Sequence, residues 1–139
     1  MRLFVSLAVS EATGELEIPA ELERLRETRD WANQVALDHG LSDDDCFQVK
    51  LAMSEAVTNA IIHGSNQETD VVHIAACMAK QRLVFEVTDP GRLDGGGRFE
   101  RLDEGGRGLE LVSMIMDEVQ LVRREDGGSL RFSKRFAPA

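Results

Sequence analysis

Three polar side chains at helical spacing, Glu55, Asn59 and His63, are the residues of this sequence best suited to chemistry. They lie four residues apart in a run that is otherwise mostly apolar, so a helix would place them along one narrow stripe. Polar groups on a core-like helix are costly unless they have partners. A carboxylate beside an oxygen ligand for a hard cation is what phosphate chemistry with Mg²⁺ requires. The stripe alone suggests such a site. Two glycine-containing segments further along the chain indicate which ligand the site would bind.

The first of these segments is residues 87–91, where Asp89 ends a strand-like run and is followed by Pro90 and Gly91. An acidic residue before Pro and Gly can simply begin a turn. Alternatively, the carboxylate accepts a hydrogen bond from an exocyclic amine such as that of adenine, and Gly91 lets the backbone approach the base closely. The residues by themselves leave both interpretations open.

The second segment has three glycines in four positions, Gly105, Gly106 and Gly108, with Arg107 between them. It leads directly into an amphipathic run, so the free N–H groups of a helix start would converge on an anion there. Arg107 can add a charged hydrogen bond. A flexible hinge is the alternative interpretation. The spacing matches neither the P-loop pattern nor the glycine fingerprint of a Rossmann site.

Hydrophobic periodicity predicts the elements that position these residues. Ser42, with Asp45 three residues on, forms a capping box that opens a helix ending near Gly64. The other predicted elements are strands at 3–9 and 16–18 around a turn at 12–14, a helix at about 20–39, strands at 71–78 and 83–88, a loop from 90 to about 106, a helix at about 108–116, and a hairpin of 118–124 with 129–136. Because the helices are clustered, this order favours an α+β two-layer sandwich over a doubly wound sheet.

Length and composition limit the class of protein. The chain has 139 residues, 42% of them hydrophobic and 29% charged, as expected for a single globular domain spanning 1–139. It lacks an apolar run near the ~18 residues that cross a bilayer. A net charge of −9 argues against non-specific nucleic-acid binding.

Cys46 and Cys77 lack metal-ligand spacing and are expected to be buried thiols in a reducing cytoplasm. Trp31 and Phe47 are expected in the core.

The order of these features resembles the ATP-binding fold of the gyrase, histidine-kinase and MutL superfamily. Within it, residues 54–64 and 105–109 are most similar to the anti-sigma-factor serine kinases of bacterial stress and sporulation switches. The resemblance covers roughly residues 15–136. It implies a Bergerat-type sandwich with a mixed, mostly antiparallel sheet and about three helices on one face.

The resemblance also implies roles for individual residues. Glu55 would be the general base, Asn59 would bind Mg²⁺, and Asp89 would read the adenine amine. The other implied nucleotide-binding positions are Gly91, Gly105, Gly106, Arg107, Gly108, Leu109 and Ser129. Ser129 stands where the family usually has Thr, and residues 92–105 would form a lid. Leu93 departs from the family, since many relatives have glycine there.

The implied function is an ATP- and Mg²⁺-dependent serine/threonine kinase that phosphorylates an antagonist protein of STAS type and sequesters a sigma factor. Such a kinase would be a cytoplasmic homodimer that binds neither nucleic acid nor membrane. One alternative is a nucleotide-binding regulatory module without catalysis. A stand-alone histidine-kinase catalytic domain or an ATPase ranks last, because the sequence shows neither a dimerisation helix with a phosphorylatable His nor a second domain that supplies a lysine.

Overall fold

The computed structural model describes residues 11–65, 70–91, 107–124 and 127–135. Within these ranges the strands are β1 (Glu11–Pro19), β2 (Val71–Ala79), β3 (Arg82–Asp89), β4 (Glu118–Arg124) and β5 (Gly127–Arg135). The α-helices are α1 (Leu25–Asp38), α2 (Asp43–Gly64) and α3 (Arg107–Ile115), and a 3-10 helix at Leu22–Arg24 precedes α1. The predicted strand at 3–9 and the implied lid at 92–105 lie outside the described residues.

The described strands form one sheet in the order β1-β2-β3-β5-β4, and each neighbouring pair is antiparallel. Three α-helices pack on one face of this sheet, which confirms the predicted α+β sandwich. In the β3–β5 ladder, Thr88 lies opposite Ser129 and Asp89 lies opposite Gly128. This register brings the end of β3 beside the beginning of β5, two segments about forty residues apart in sequence.

The core lies between the sheet and the helices. Phe85 of β3 stacks on Phe132 of β5 with ring centroids 5.5 Å apart, and Trp31 of α1 packs edge-on against Phe85 at 6.1 Å. Trp31 therefore contacts the core as expected. The expectation for Phe47 is wrong, since its side chain is 61% exposed. Its neighbour Cys46 points inward on α2, and one helical position further on the side chain is rotated by about 100° toward solvent.

The long helix α2 begins where the sequence predicts. The Ser42 hydroxyl accepts a hydrogen bond from the Asp45 N–H at 3.1 Å, which satisfies one of the free donors of the first turn. Lys134 of β5 forms hydrogen bonds to two helices, α2 and α3. Its Nζ donates to Gln48 Oε1 of α2 at 2.5 Å and to the Ile115 carbonyl at the end of α3 at 2.7 Å.

Two local predictions are corrected by long-range pairing. The turn predicted at 12–14 is part of β1, which pairs with β2 along its whole length and absorbs an irregularity between Ala12 and Gly14. The predicted four-residue connection between β2 and β3 is a two-residue turn, in which Lys80 and Gln81 both have positive φ (51° and 66°). Two positive φ values are typical of the type I′ turn, whose twist matches that of a hairpin.

Among the described residues, none of the helices combines the length and the apolar character needed to cross a membrane.

Candidate functional site

One cleft lies between α2, α3 and the sheet, at the end of the molecule where β3 finishes and β5 begins. Its described walls are Ala56, Asn59, Ala60, His63, Val87, Asp89, Leu109, Leu121, Ser129 and Leu130. The polar members come from α2, β3 and β5, and the remainder are apolar. This combination of apolar walls and a few converging polar groups is common in small-molecule sites, although the open volume here is only about 20 Å³. The structure thus brings together Asn59, Asp89, Leu109 and Ser129, four of the positions implied by the resemblance.

Asp89 is a buried carboxylate of this cleft, with a relative exposure of only 6%. Its Oδ1 accepts a hydrogen bond from the Gly91 N–H at 2.9 Å, and Gly91 has a φ of +84°, in the region that favours glycine. The carboxylate also lies against the last residue of α2. A Cβ on Gly64 would lie 2.3 Å from Asp89 Cγ and 2.4 Å from Oδ2. Glycine at position 64 therefore lets the strand end approach the helix.

Asn59 presents a half-buried carboxamide to the cleft. Its Nδ2 is buried and makes no hydrogen bond to any described residue. Buried polar groups in native proteins almost always have partners, so an unsatisfied donor in a cleft points to a ligand or water. The carboxamide oxygen is a suitable ligand for Mg²⁺, and the amide donor could bond a phosphate oxygen. Asn59 therefore fits a phosphate and metal site.

Glu55 lies one helical turn before Asn59, next to the start of α3. A Cβ on Gly108 would lie 2.5 Å from Glu55 Oε1, so the carboxylate reaches the first turn of α3. Glu55 is half-buried and is not among the described residues that line the cleft. The carboxylate and the helix start are therefore neighbours, as a base positioned beside transferring phosphates would require.

Ser129 is held in place by the β3–β5 ladder. Its hydroxyl lies 3.2 Å from that of Thr88, its cross-strand partner, and either can donate. Ser129 is buried and lines the cleft, and this contact fixes the position of its hydroxyl. Two hydroxyls and one carboxylate thus line the junction of the two central strands.

The structure describes the remaining predicted site residues only in part. Arg107 begins α3 but its side chain is not described, and Gly105 and Gly106 lie outside the described residues. His63 lines the cleft through its half-buried ring. No group of three or more His, Cys, Asp and Glu side chains able to hold a metal occurs in the described part of the chain. A Mg²⁺ ion would therefore rely on Asn59 and on oxygen atoms of a ligand, which is common for this cation.

Sequence reasoning missed several residues of the site. Gly64 was interpreted only as the end of a helix, and Leu121 of β4 gave no signal because its position depends on the sheet order. Ala56 and Ala60 could have been found. They lie four residues apart beside the polar stripe, and small side chains there leave space above the helix.

The two cysteines are buried and are not joined by a disulfide, which confirms the prediction of buried thiols. Burial, followed by the negative charges of Asp43 and Asp45, raises the pKa of the Cys46 thiol. The thiol therefore remains protonated at neutral pH and behaves as a small core side chain.

Comparison with known proteins agrees with this geometry. Residues 18–134 match the family model of the histidine kinase-like ATPase domain. The serine-protein kinase RsbW of Halalkalibacterium halodurans is 28% identical in an alignment of 137 residues, which covers 89% of this chain and 83% of that protein. RsbW of Bacillus thuringiensis is 30% identical over 124 residues, covering 80% of this chain and 78% of that protein.

A solved structure supports the fold. The crystal structure of the RsbU and RsbW domains of a Mycobacterium tuberculosis protein matches with a TM-score of 0.69 and 22% identity. The match covers 91% of this chain and 34% of the solved one, so the present chain spans about a third of that protein. The predicted relationship to anti-sigma-factor serine kinases is confirmed by the family model and the curated relatives together. The chain therefore belongs to the histidine kinase-like ATPase domain family, in which its relatives include the serine-protein kinases RsbW.

Proposed function

We propose that this protein is an ATP-dependent serine/threonine kinase and anti-sigma factor, which phosphorylates a serine of an antagonist protein and sequesters a sigma factor. The relatives named as serine-protein kinases support the kinase activity. The observation that carries the proposal is the convergence of Asn59, Asp89 and Ser129, from three separate elements, on one cleft. Glu55 lies beside the glycine helix start that borders it.

Adenine recognition is assigned to the β3–β5 junction. The Asp89 carboxylate would accept a hydrogen bond from the exocyclic amine, and Gly91 would lie beneath the base. The Ser129 hydroxyl would support the adenine site. Burial supports this role because a hydrogen bond to a buried charged acceptor discriminates strongly against a base that lacks the donor. The apolar walls formed by Leu109, Leu121 and Leu130 suit the faces of a purine ring.

The phosphates are assigned to Asn59 and the start of α3. The positive end of α3 and its free N–H groups attract anions, and the glycines there allow close approach of the backbone. The phosphate-binding residues of this segment would be Gly105, Gly106, Arg107, Gly108 and Leu109. Bound Mg²⁺ would neutralise charge on the ATP phosphates, with Asn59 as its protein ligand.

Glu55 is assigned the role of general base. Its carboxylate would accept the proton from the substrate serine as the hydroxyl oxygen attacks the terminal phosphoryl group and ADP leaves. The position of Oε1 against Gly108 supports this assignment, because the base must lie beside the phosphates rather than beside the adenine.

A nucleotide-binding regulator without catalysis is the second candidate. It is favoured by one observation: Glu55 is not among the described residues that line the cleft. A carboxylate at this position could serve only to hold the first turn of α3. The two candidates differ in whether the charge of Glu55 is needed for phosphate transfer.

The substitution Glu55→Gln distinguishes them, because it preserves size and removes the base. Transfer of labelled phosphate from ATP to a purified STAS-type antagonist should fall by about 100-fold or more, while calorimetric ATP affinity stays within about threefold. Glu23→Gln, at an exposed carboxylate of the 3-10 helix, is the matched control and should leave both unchanged. Transfer by Glu55→Gln at the parental rate would show that Glu55 is not the general base, and no transfer by the parental protein would favour the regulator.

The biological setting follows from the same proposal. We expect residues 1–139 to fold as one domain, and the protein to act as a cytoplasmic homodimer that engages its sigma factor and its antagonist in turn. Light scattering of the purified protein with and without ADP tests the dimer. A monomer at all concentrations would contradict that part of the proposal and leave the kinase assignment intact.

A further inference from the structure

A second cleft lies on the sheet face that points away from the helices. In β3 and β5 the residues that belong to the helix-side core, such as Phe85 and Phe132, alternate with residues on the opposite face. Near the β2–β3 turn, that opposite face forms a cleft of about 1040 Å³, called here the outer-face cleft. The residues used below are Lys80, Arg82, Glu118, Arg131, Ser133 and Arg135.

The lining of the outer-face cleft is basic in an acidic protein. Four basic side chains and one acidic side chain line it, which gives a net charge of +3, whereas the whole chain carries −9. These are Lys80, Arg82, Arg131, Arg135 and Glu118. Glu118 forms an ion pair with Arg82. The buried Glu86 lies opposite Arg131 in the β3–β5 ladder and lowers the local charge to +2 when it is included. Lys80 and Arg135, both exposed, supply the remaining positive charge.

The cleft also contains polar atoms without partners. Ser133 is only 4% exposed, and its hydroxyl makes no hydrogen bond to any described residue. The Nε of Arg131, two residues earlier on the same face, is buried and equally unpaired within the described part of the chain. Buried donors without partners are rare in native proteins, so two together at one basic cleft point to a ligand or to water.

Size restricts the class of ligand. A volume of about 1040 Å³ is slightly above the roughly 300–1000 Å³ range of small-molecule sites, and far larger than one inorganic phosphate needs. The lining combines charged groups with apolar wall from Ala79 and Val84. These features fit an organic molecule with several negative groups.

We propose that the outer-face cleft is a second ligand site, which binds a small organic polyanion through carboxylate or phosphate groups. The ligand's acidic groups lie between Lys80 and Arg135 at the rim and the Arg131–Ser133 pair at the base. The site is separated from the nucleotide cleft by the thickness of the sheet, because that cleft uses the helix-side residues Val87 and Leu130.

Isothermal titration of the full chain with citrate and with fructose 1,6-bisphosphate, at constant ionic strength, tests the proposal. Arg135→Glu and Lys80→Glu should each weaken binding by about tenfold. Arg26→Glu, an exposed charge reversal on α1, is the matched control and should change affinity by less than about twofold. Binding of citrate alone assigns the site to carboxylates, and binding of the bisphosphate alone assigns it to phosphates.

Ser133→Ala separates a ligand role from a structural one. Removing an unpaired buried hydroxyl should raise the melting temperature, and loss of the hydrogen bond to the ligand should weaken binding by about three- to tenfold. A raised melting temperature with unchanged affinity would overturn the proposal. Equal losses of anion affinity in Arg26→Glu and Arg135→Glu would also overturn it. The same holds if neither anion binds at 10 mM (roughly the weakest affinity of interest), or if hexaglutamate alone binds. Asp89→Asn, in the nucleotide cleft, should leave binding of both anions unchanged, so failure here is distinct from failure of the kinase assignment.

Discussion

Replacing Gly64 with alanine is the sharpest test of the nucleotide site. Gly64 does not have a positive φ, so its backbone does not require glycine. The reason for glycine is its distance from Asp89. A Cβ at position 64 would lie 2.3 Å from Asp89 Cγ, 2.4 Å from Oδ2 and 2.8 Å from Cβ. Ordinary carbon contacts are about 3.5–4.0 Å, so the aspartate must move by about 1 Å or more.

This movement determines the size of the effect. Asp89 is short and buried, so its side chain cannot swing away as a long surface side chain would. A displacement of about 1 Å would break the proposed hydrogen bond to the adenine amine, which as a bond to a charged acceptor would contribute about 1.5–3 kcal/mol. The affinity for ATP should therefore fall by about 10- to 150-fold. Overpacking should lower the free energy of unfolding by about 1–3 kcal/mol.

Calorimetric titration with ADP and GDP, combined with urea unfolding, measures both effects. Gly64→Ala should lose ADP affinity and most of its preference over GDP. Gly40→Ala is the matched control, because Gly40 has a φ of +82° and open space around its Cβ position. That control should lose about 1 kcal/mol of stability through backbone strain, with unchanged nucleotide affinity. If Gly64→Ala binds ADP within twofold of the parent, Asp89 does not read the base.

Three further outcomes are expected. Asn59→Ala should weaken ATP binding by about tenfold with Mg²⁺ and little in EDTA, as measured by calorimetry, and equal losses in both would remove the metal assignment. Lys134→Met keeps the methylenes but loses the hydrogen bonds to Gln48 and to the Ile115 carbonyl. Urea unfolding should therefore show that the free energy of unfolding falls by about 2–3 kcal/mol. An unchanged unfolding midpoint would show that these bonds add no stability. The pKa of the Cys46 thiol is raised in the folded state, so its contribution to stability is complete below the unfolded pKa and is lost as pH rises through the folded pKa. Cys46→Ala should therefore reduce the fall in stability between pH 7 and about pH 10, and an identical fall in parent and variant would contradict the pKa direction.

Local interactions explain what could be predicted from the sequence. Helix α2 was predicted with its correct start because the Ser42 cap and the 3.6-residue period both act within a few residues. The alignment of Glu55, Asn59 and His63 on one stripe follows from the same period. The α+β class followed from the order of elements, and the order of the polar and glycine motifs pointed to the correct family.

Contacts between distant segments explain what could not be predicted. The turn expected at 12–14 became strand because β2 offers backbone partners there. The exposure of Phe47 depends on which face of α2 packs against the sheet. The position of β5 between β3 and β4 has no local signal, yet it places Ser129 beside Thr88 and Leu121 in the cleft.

The amino-acid order is therefore sufficient to identify the residue types of the proposed nucleotide site, the spacing of three of them along one helix, and the family of the chain. Only the folded arrangement shows that Gly64 is the residue against which Asp89 rests, and that a basic cleft lies on the far side of the sheet. The physical reason is the range of the forces involved. Helix period and capping act over three or four residues. By contrast, the first cleft brings together Gly64 and Asp89, 25 residues apart, and the outer-face cleft brings together Arg82 and Arg135, 53 residues apart.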